Sequence, residues 1–159
     1  MMGIRLLSGD HLAALLELEA TAGSGMQPAA LASALTAPDR KVLSAWQAAD
    51  KQRTSQPIGY AIVAIGPFDA EIEAMGVRPD WRRQGVARWL MQAVIEEVTQ
   101  ADSERLLLDV RETNDPAIRL YQTFGFTFDG RRKGYYPAVG DTAGRRRVDA
   151  LLMSRAMKD

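Results

Sequence analysis

Apolar positions along the chain change period several times, and each change marks an element. The weak alternation of IRLL (4–7) predicts a short strand, and the following SGDHLAALLELEA predicts a helix. Ser8 or Asp10 is its candidate N-cap, with Leu12, Leu15, Leu16 and Ala20 at helical spacing. TAGSGMQP reads as a loop and PAALASAL as a second short helix. VLSAWQAAD (42–50) and PIGYAIVAIG (57–66) are β-like runs, and the polar KQRTSQ between them predicts a hairpin. IEAMGV (72–77) is a further strand, followed by a helix over about 85–100 whose buried stripe is Val86, Leu90, Val94 and Val98. RLLLDV (105–110) lacks alternation, as expected of a strand covered on both faces.

TNDPAIRLYQTFG carries a Thr/Asn cap, Pro116 in the first turn and Gly125 as a stop, with Ala117, Leu120, Tyr121 and Phe124 on one face. FTFDGRRKGYYP and VDALLMSRAM close the chain as strands with a basic connection. The order is therefore βααββ–βαβ–αββ. The helix over 85–100 joins two strands as a right-handed crossover, which makes those strands parallel, and the flanking hairpins are antiparallel. The expected fold is a mixed α/β sheet in one domain over residues 1–159.

Composition narrows the field. A chain of 159 residues, 47% hydrophobic and 25% charged, suits one globular unit with its own core. Its longest apolar runs, AIVAI (61–65) and LLL (106–108), are too short to span a bilayer, and MMGIRLLSGD meets a charge too early for a signal peptide. With no Cys, thiol nucleophiles and disulfides are excluded; a cytoplasmic protein is expected. The formal net charge of zero argues against a general nucleic-acid binder, and no membrane partner is expected. That zero hides segregation. Arg78, Arg82, Arg83 and Arg88 face only Asp80 within 78–88, while Arg131, Arg132, Lys133, Arg145, Arg146 and Arg147 face Asp129 and Asp141 within 129–147. Local basic patches in a neutral protein predict a small anionic ligand.

Neither G-x-G-x-x-G after a strand nor G-x-x-x-x-G-K-[ST] occurs, so dinucleotide and P-loop readings lack their glycines. His11 is the sole histidine and reads as a solvated first-turn residue; a Ser-His-Asp triad and a multi-histidine metal site are excluded. What remains is a strand, the turn RPDW and a helix beginning RRQGVA. A helix N-terminus presents unpaired N–H groups and partial positive charge to a phosphate. Gly85 and Ala87 keep side chains clear, and Arg82, Arg83 and Arg88 add charge. Gly76, inside the preceding strand, predicts a bulge or a close backbone approach. In a regular strand Glu71, Glu73, Met75 and Val77 share a face, and a bulge leaves N–H groups free for an extended ligand.

R-x-x-G-x-A at 82–87 matches the Q/R-x-x-G-x-G/A signature of the GCN5-related N-acetyltransferases (GNATs), and the likeness continues from about Glu71 to Pro137. V-R-x-x-N, A-x-x-L-Y-x-x-x-G-F and R-R-K-x-Y-Y-P follow in the order and spacing of the RimI-type ribosomal-protein-alanine N-acetyltransferases, which this segment resembles. The first 65 residues match only in element order. The resemblance implies a GNAT fold: a mostly antiparallel sheet with splayed strands around a central parallel β-α-β crossover. It implies acetyl-CoA as acyl donor, no metal, and a protein N-terminal α-amine as acceptor, with a ribosomal protein as partner. The backbone of Met75, Gly76 and Val77 would hold the pantetheine arm and thioester carbonyl. Arg82, Arg83, Gln84, Gly85, Val86, Ala87 and Arg88 would wrap the pyrophosphate. Asn114 would contact the coenzyme, and Tyr121 would protonate the departing thiolate.

The family's base, a glutamate before V-R, is replaced here by Asp109, one methylene shorter. Three carboxylates compete for its role: Asp109, Glu71 (where histone acetyltransferases place theirs) and Glu73. Asp109 acting through water with Glu71 assisting is the expectation; Glu73 is a substrate-contacting or solvated charge. Composition alone makes Tyr121 a core aromatic, and only the family position makes it an acid. Tyr135 and Tyr136 are candidates for a peptide groove, Tyr135 as substrate contact; alternation would turn one of the two toward the core. The family's F-P-W-S between the first helices is GSGMQP (23–28) here, and the loop 138–147 is longer and more basic than usual. Lysine side chains or a small-molecule amine as acceptor, or a weakly catalytic acyl-CoA-binding module, are therefore alternatives. A monomer or weak dimer is expected.

Overall fold

The computed structural model describes residues 2–52, 54–137 and 147–158. Its strands are β1 (Met2–Leu6), β2 (Arg40–Gln47), β3 (Gln56–Ile65), β4 (Asp69–Val77), β5 (Arg105–Arg111), β6 (Thr127–Tyr136) and β7 (Val148–Ala156). Its helices are α1 (Leu12–Ala22), α2 (Pro28–Thr36), α3 (Val86–Gln100) and α4 (Asp115–Thr123). The element order agrees with the pattern of the sequence. One seven-stranded sheet runs β1-β2-β3-β4-β5-β7-β6. Among the described residues, only β4 and β5, joined through α3, pair parallel.

α3 buries Val86, Leu90, Met91, Val94 and Val98 on one side of the sheet, against Ala61, Val63, Ile72, Leu106 and Leu108. α1 and α2 cover the other side, where Leu15, Leu18 and Leu31 pack on Val42, Tyr60, Ile62 and Ala74. Three details depart from the sequence pattern. Ser8 and His11 cap a 3₁₀ turn, Gly9–His11, with Ser8 N donating to His11 Nδ1 at 3.0 Å; α1 begins only afterwards and buries Leu15, Leu18 and Ala22, leaving Ala20 exposed. β5 alternates after all: Leu106, Leu108 and Val110 are buried, whereas Leu107 and Asp109 are only half-covered. The open face of β5 is where Asp109 emerges. Finally, α4 has no fully buried residue, and Ile118 rather than Leu120 joins Ala117, Tyr121 and Phe124 against the core.

Two irregularities of β4 shape the middle of the sheet. The parallel ladder runs only from Asp69↔Arg105 to Ile72↔Leu108; beyond it β4 stays on β3 as far as Gly59↔Val77 while β5 stays on β7. The strands therefore splay. A bulge also interrupts β4, because Val63 pairs with Ile72 and Ile62 with Ala74, leaving Glu73 as the extra residue. Ile72 then packs toward α3 and Ala74 toward α1 and α2, though they are two residues apart. The bulge sits at Glu73 and not at Gly76, and it divides the face expected to be common. Met75 and Val77 pack with Val86 and Leu90, whereas Glu71 and Glu73 line the opposite side. Gly76 is the close approach: a Cβ there would lie 3.1 Å from Ala22 Cβ and 3.3 Å from Tyr60 Cε1. Among the described residues, no helix is long and apolar enough to cross a membrane.

Candidate active site

The turn between β4 and α3 is built from its backbone outward. A 3₁₀ turn, Pro79–Trp81, follows the strand, and the Gln84 side-chain amide closes it on Asp80 O at 2.9 Å. Arg83 (φ 61°) and Gly85 (φ 84°) are both left-handed, and nothing lies within 4 Å of where a Gly85 Cβ would stand. Trp89 N donates to Gly85 O at 3.0 Å as the helix starts, so the amides of Val86, Ala87 and Arg88 have no intrahelical acceptor. The arginines divide their work. Arg82 donates from Nε to Val77 O (3.2 Å) and from Nη2 to Ala22 O (2.9 Å), clamping the end of α1 to the end of β4. The Arg88 guanidinium lies 5.5 Å from the Phe124 ring centre.

The splay leaves one edge of β4 open beside this turn. Arg78 N donates to Ile58 O at 2.8 Å, and backbone groups alternate along an antiparallel ladder. The amides of Met75 and Val77 consequently point away from β3, into the gap between β4 and β5.

On the α1/α2 side of that gap lies a cleft of about 670 Å³. Glu71, Glu73 and Asp109 line it with Tyr135, Tyr136, Arg40 and the segment Ser24, Gly25 and Met26. Burial pushes the Glu71 carboxyl above the ordinary carboxylate range, and the charges of Asp109 and then Glu73 push it further; Arg132 and Arg40 pull partly back. Glu73 is half-buried at the cleft and is paired. Its carboxylate takes a bidentate fork from Arg40, at 2.7 Å from Nε and 2.9 Å from Nη2.

Both tyrosines of β6 face the cleft, contrary to the expectation that one would turn to the core. Register skips between Arg132↔Ala150 and Tyr136↔Val148, so β6 carries extra residues around Gly134 (φ 60°) and its alternation breaks. Asp149 fixes this kink by accepting Gly134 N at 2.8 Å, and Arg147 donates to Gly134 O (2.7 Å) and Tyr135 O (3.1 Å). The Gly134 amide and Arg131 hold the Asp149 carboxyl below its usual range. The two rings meet edge to face at 5.0 Å. Burial, with Asp109 nearby, pushes the Tyr136 hydroxyl up to about 12. The basic loop over 138–146 lies outside the described residues.

Tyr121 packs against Phe126 with ring centres 5.8 Å apart, and burial pushes its hydroxyl up to about 12, with a smaller contribution from Tyr136. Asn114 Oδ1 accepts Ala117 N at 3.3 Å, so this side chain is first of all the N-cap of α4. No group of three or more His, Asp or Glu side chains among the described residues is arranged to hold a metal ion.

Comparison with known proteins decides the family. The sequence profile described as the acetyltransferase (GNAT) family matches residues 13–126. The chain belongs to the GNAT family. Its GNAT segment is 36% identical over 95 residues to the [ribosomal protein bS18]-alanine N-acetyltransferase of Escherichia coli, covering 60% of this chain and 61% of that one. The chain thus spans less than two thirds of the length of the curated relatives it matches first. The crystal structure of the Escherichia coli ribosomal-protein-S18-alanine N-acetyltransferase superposes with a TM-score of 0.86 at 27% identity, over 100% of this chain and 96% of that one. Arabidopsis thaliana NAA60, solved in complex with acetyl-CoA, shares the fold (TM-score 0.83, 18% identity, 98% of both chains).

Within this GNAT fold, two contributors carry no sequence signal. Arg40 lies two residues before the β-like run expected over 42–50, and only the structure makes it the first residue of β2. Glu19 reads as a solvent-facing helix position, yet its carboxylate accepts Ser24 N (3.0 Å), Gly25 N (3.1 Å) and the Tyr60 hydroxyl (2.8 Å). Ser24 Oγ lies 2.7 Å from the same hydroxyl. Glu19 thereby fixes the Ser24–Gly25 wall of the cleft.

Proposed function

We propose that this GNAT chain transfers the acetyl group of acetyl-CoA to a protein N-terminal α-amine, with a ribosomal-protein alanine as acceptor and the cytoplasm as compartment. The observation that carries the reading is the gap between β4 and β5. It has an open strand edge and a bare helix N-terminus on one side, and a cleft of carboxylates and tyrosines on the other. A thioester lying along Met75–Val77, its pyrophosphate on the amides of Val86–Arg88, would present its carbonyl to that cleft. The 36% identity to a bS18-alanine N-acetyltransferase supports the α-amine of a ribosomal protein as acceptor.

The chain's own groups then have distinct tasks. The acceptor arrives as an ammonium and must lose a proton before it can attack. Asp109, acting through water with Glu71, takes that proton; the Glu71 carboxyl, held above its usual range, is better matched to neutral pH than a solvated one. The free amine forms the C–N bond, the C–S bond breaks, the sulfur leaves with the electron pair, and the nitrogen gives its second proton to water to become the neutral amide. Tyr121, held protonated by burial, donates to that sulfur. No covalent enzyme intermediate is required, in keeping with a chain without cysteine.

The test is coenzyme A release with acetyl-CoA and N-terminal peptides of ribosomal proteins. Peptides with a free α-amine should turn over and α-blocked ones should not. Turnover of α-blocked, lysine-containing peptides or of small amines would shift the reading to those acceptors. Coenzyme binding without turnover on any amine would make the chain an acyl-CoA-binding module.

A further inference from the structure

Of the three carboxylates on the cleft, one is already spoken for. The bulge turns Glu73 to the same side as Glu71, and without a partner it would crowd a second negative charge beside that group. Arg40 reaches it from the first residue of β2 and closes a two-pronged pair at 2.7 and 2.9 Å, while Nη1 of the same guanidinium meets Asp39 at 3.1 Å. The geometry is the planar fork of arginine on carboxylate, which a lysine cannot reproduce. The charged groups facing Glu71 are Glu73 on its own strand, Asp109 on β5, Arg40 on β2 and Arg132 on β6; the hydroxyls of Tyr135 and Tyr136 complete the wall.

We propose that Arg40 is a positioning residue for the proton acceptor: by holding Glu73 in a bidentate pair, it leaves Glu71 and Asp109 as the carboxylates presented to the acceptor amine and balances the charge around them. This rests on the proposed removal of the amine proton by those carboxylates. A tie that merely braced β2 against β4 would be indifferent to the sign of the charges it removes. The electrostatic role is not. Without Arg40, Glu71 faces two bare carboxylates, its protonated form is favoured, and the pair gives up its proton at higher pH. Without Glu73, Arg40 keeps only its exposed contact with Asp39, its charge over the cleft is less compensated, and the displacement reverses. Removing both restores the balance.

The experiment combines two readouts on the full chain: the Glu71 carboxyl titrated by carbon-13 NMR, and the acid limb of kcat/KM for one acceptor peptide, whose own amine titration is common to every variant. Arg40→Gln should move both upward by about one pH unit, an approximately tenfold loss of kcat/KM on the limb. Glu73→Gln should move both downward, and the double variant Arg40→Gln/Glu73→Gln should return them to the wild-type position. Arg40→Lys, which keeps the charge and loses the fork, should leave the NMR midpoint near the wild type, and thermal unfolding of each variant confirms that it folds. An unchanged midpoint in Arg40→Gln, or a double variant that stays displaced, overturns the assignment. Should the wild type turn over no α-amine, the functional reading falls. The NMR midpoints then still decide what Arg40 does to Glu71.

Discussion

Tyr121 keeps its ring on Phe126 and its hydroxyl protonated well beyond neutral pH. If that hydroxyl donates to the leaving sulfur, Tyr121→Phe preserves the packing and removes only the proton. We expect kcat to fall by roughly 10²- to 10³-fold, with the dissociation constant for coenzyme A, measured calorimetrically, changed by less than about twofold. Because burial pushes the hydroxyl up to about 12, its ionisation should cause no alkaline loss of activity below about pH 10. Glu71 gives the complementary case. A carboxyl whose folded pKa is raised opposes folding above that pKa, and the penalty disappears once the group is protonated. Glu71→Gln should therefore lower kcat while raising Tm at pH 7 by no more than about 2 °C, since water still reaches this side chain, and the gain should vanish near pH 4. Differential scanning fluorimetry at the two pH values checks it. Asp109 and Glu71 were legible as acid–base candidates only through the resemblance to the GNAT family, at the positions where that family places its base. Arg40's grip on Glu73 was not, because it joins positions 33 residues apart through a bulge that no local pattern announces.

The start of α3 is the element in which sequence and backbone agree most closely. Gly85 is required twice there, by its left-handed φ and by the open space a ligand would use. Gly85→Ala should cost about 1–2 kcal/mol in chemical denaturation through backbone strain alone. It should also weaken coenzyme A binding at least about tenfold, as the new methyl intrudes on the phosphate site. The strands were harder to read. Glycine in a strand signalled a special feature at Gly76, but the register skip fell at Glu73, where pairing with β3 decides it. Likewise the kink at Gly134 turns Tyr135 and Tyr136 into one cleft, held by Asp149 and Arg147 from a neighbouring strand and its approach. Alternation along a strand is a local rule. Register is a property of two strands, and here it prevailed.

At the scale of the molecule, element order followed from hydrophobic periods that each segment carries within itself. The insertion of β7 between β5 and β6 could not, since it depends on which strands meet. Glu19 shows the same dependence: one carboxylate ties α1, the segment after it and β3 into a single wall. Glu19→Ala should raise KM for the acceptor peptide roughly five- to tenfold, the loss expected when about 1 kcal/mol of ordering must be supplied on binding. Coenzyme affinity should stay within about twofold of wild type, and steady-state kinetics with each substrate varied in turn separates the two. The short parallel ladder has a further consequence. With only Asp69–Ile72 stitched to Arg105–Leu108, the sheet is two leaves on a narrow spine. A donor lying between the leaves would act as the missing strand, so it should lock them together well beyond its own contacts. Coenzyme A at about one hundred times its dissociation constant should add about 2.7 kcal/mol, or roughly 5–10 °C in Tm. Amide exchange should slow along residues 73–77 and 109–111 together. The empty protein should then be the form that breathes most, along the seam beyond Ile72 and Leu108.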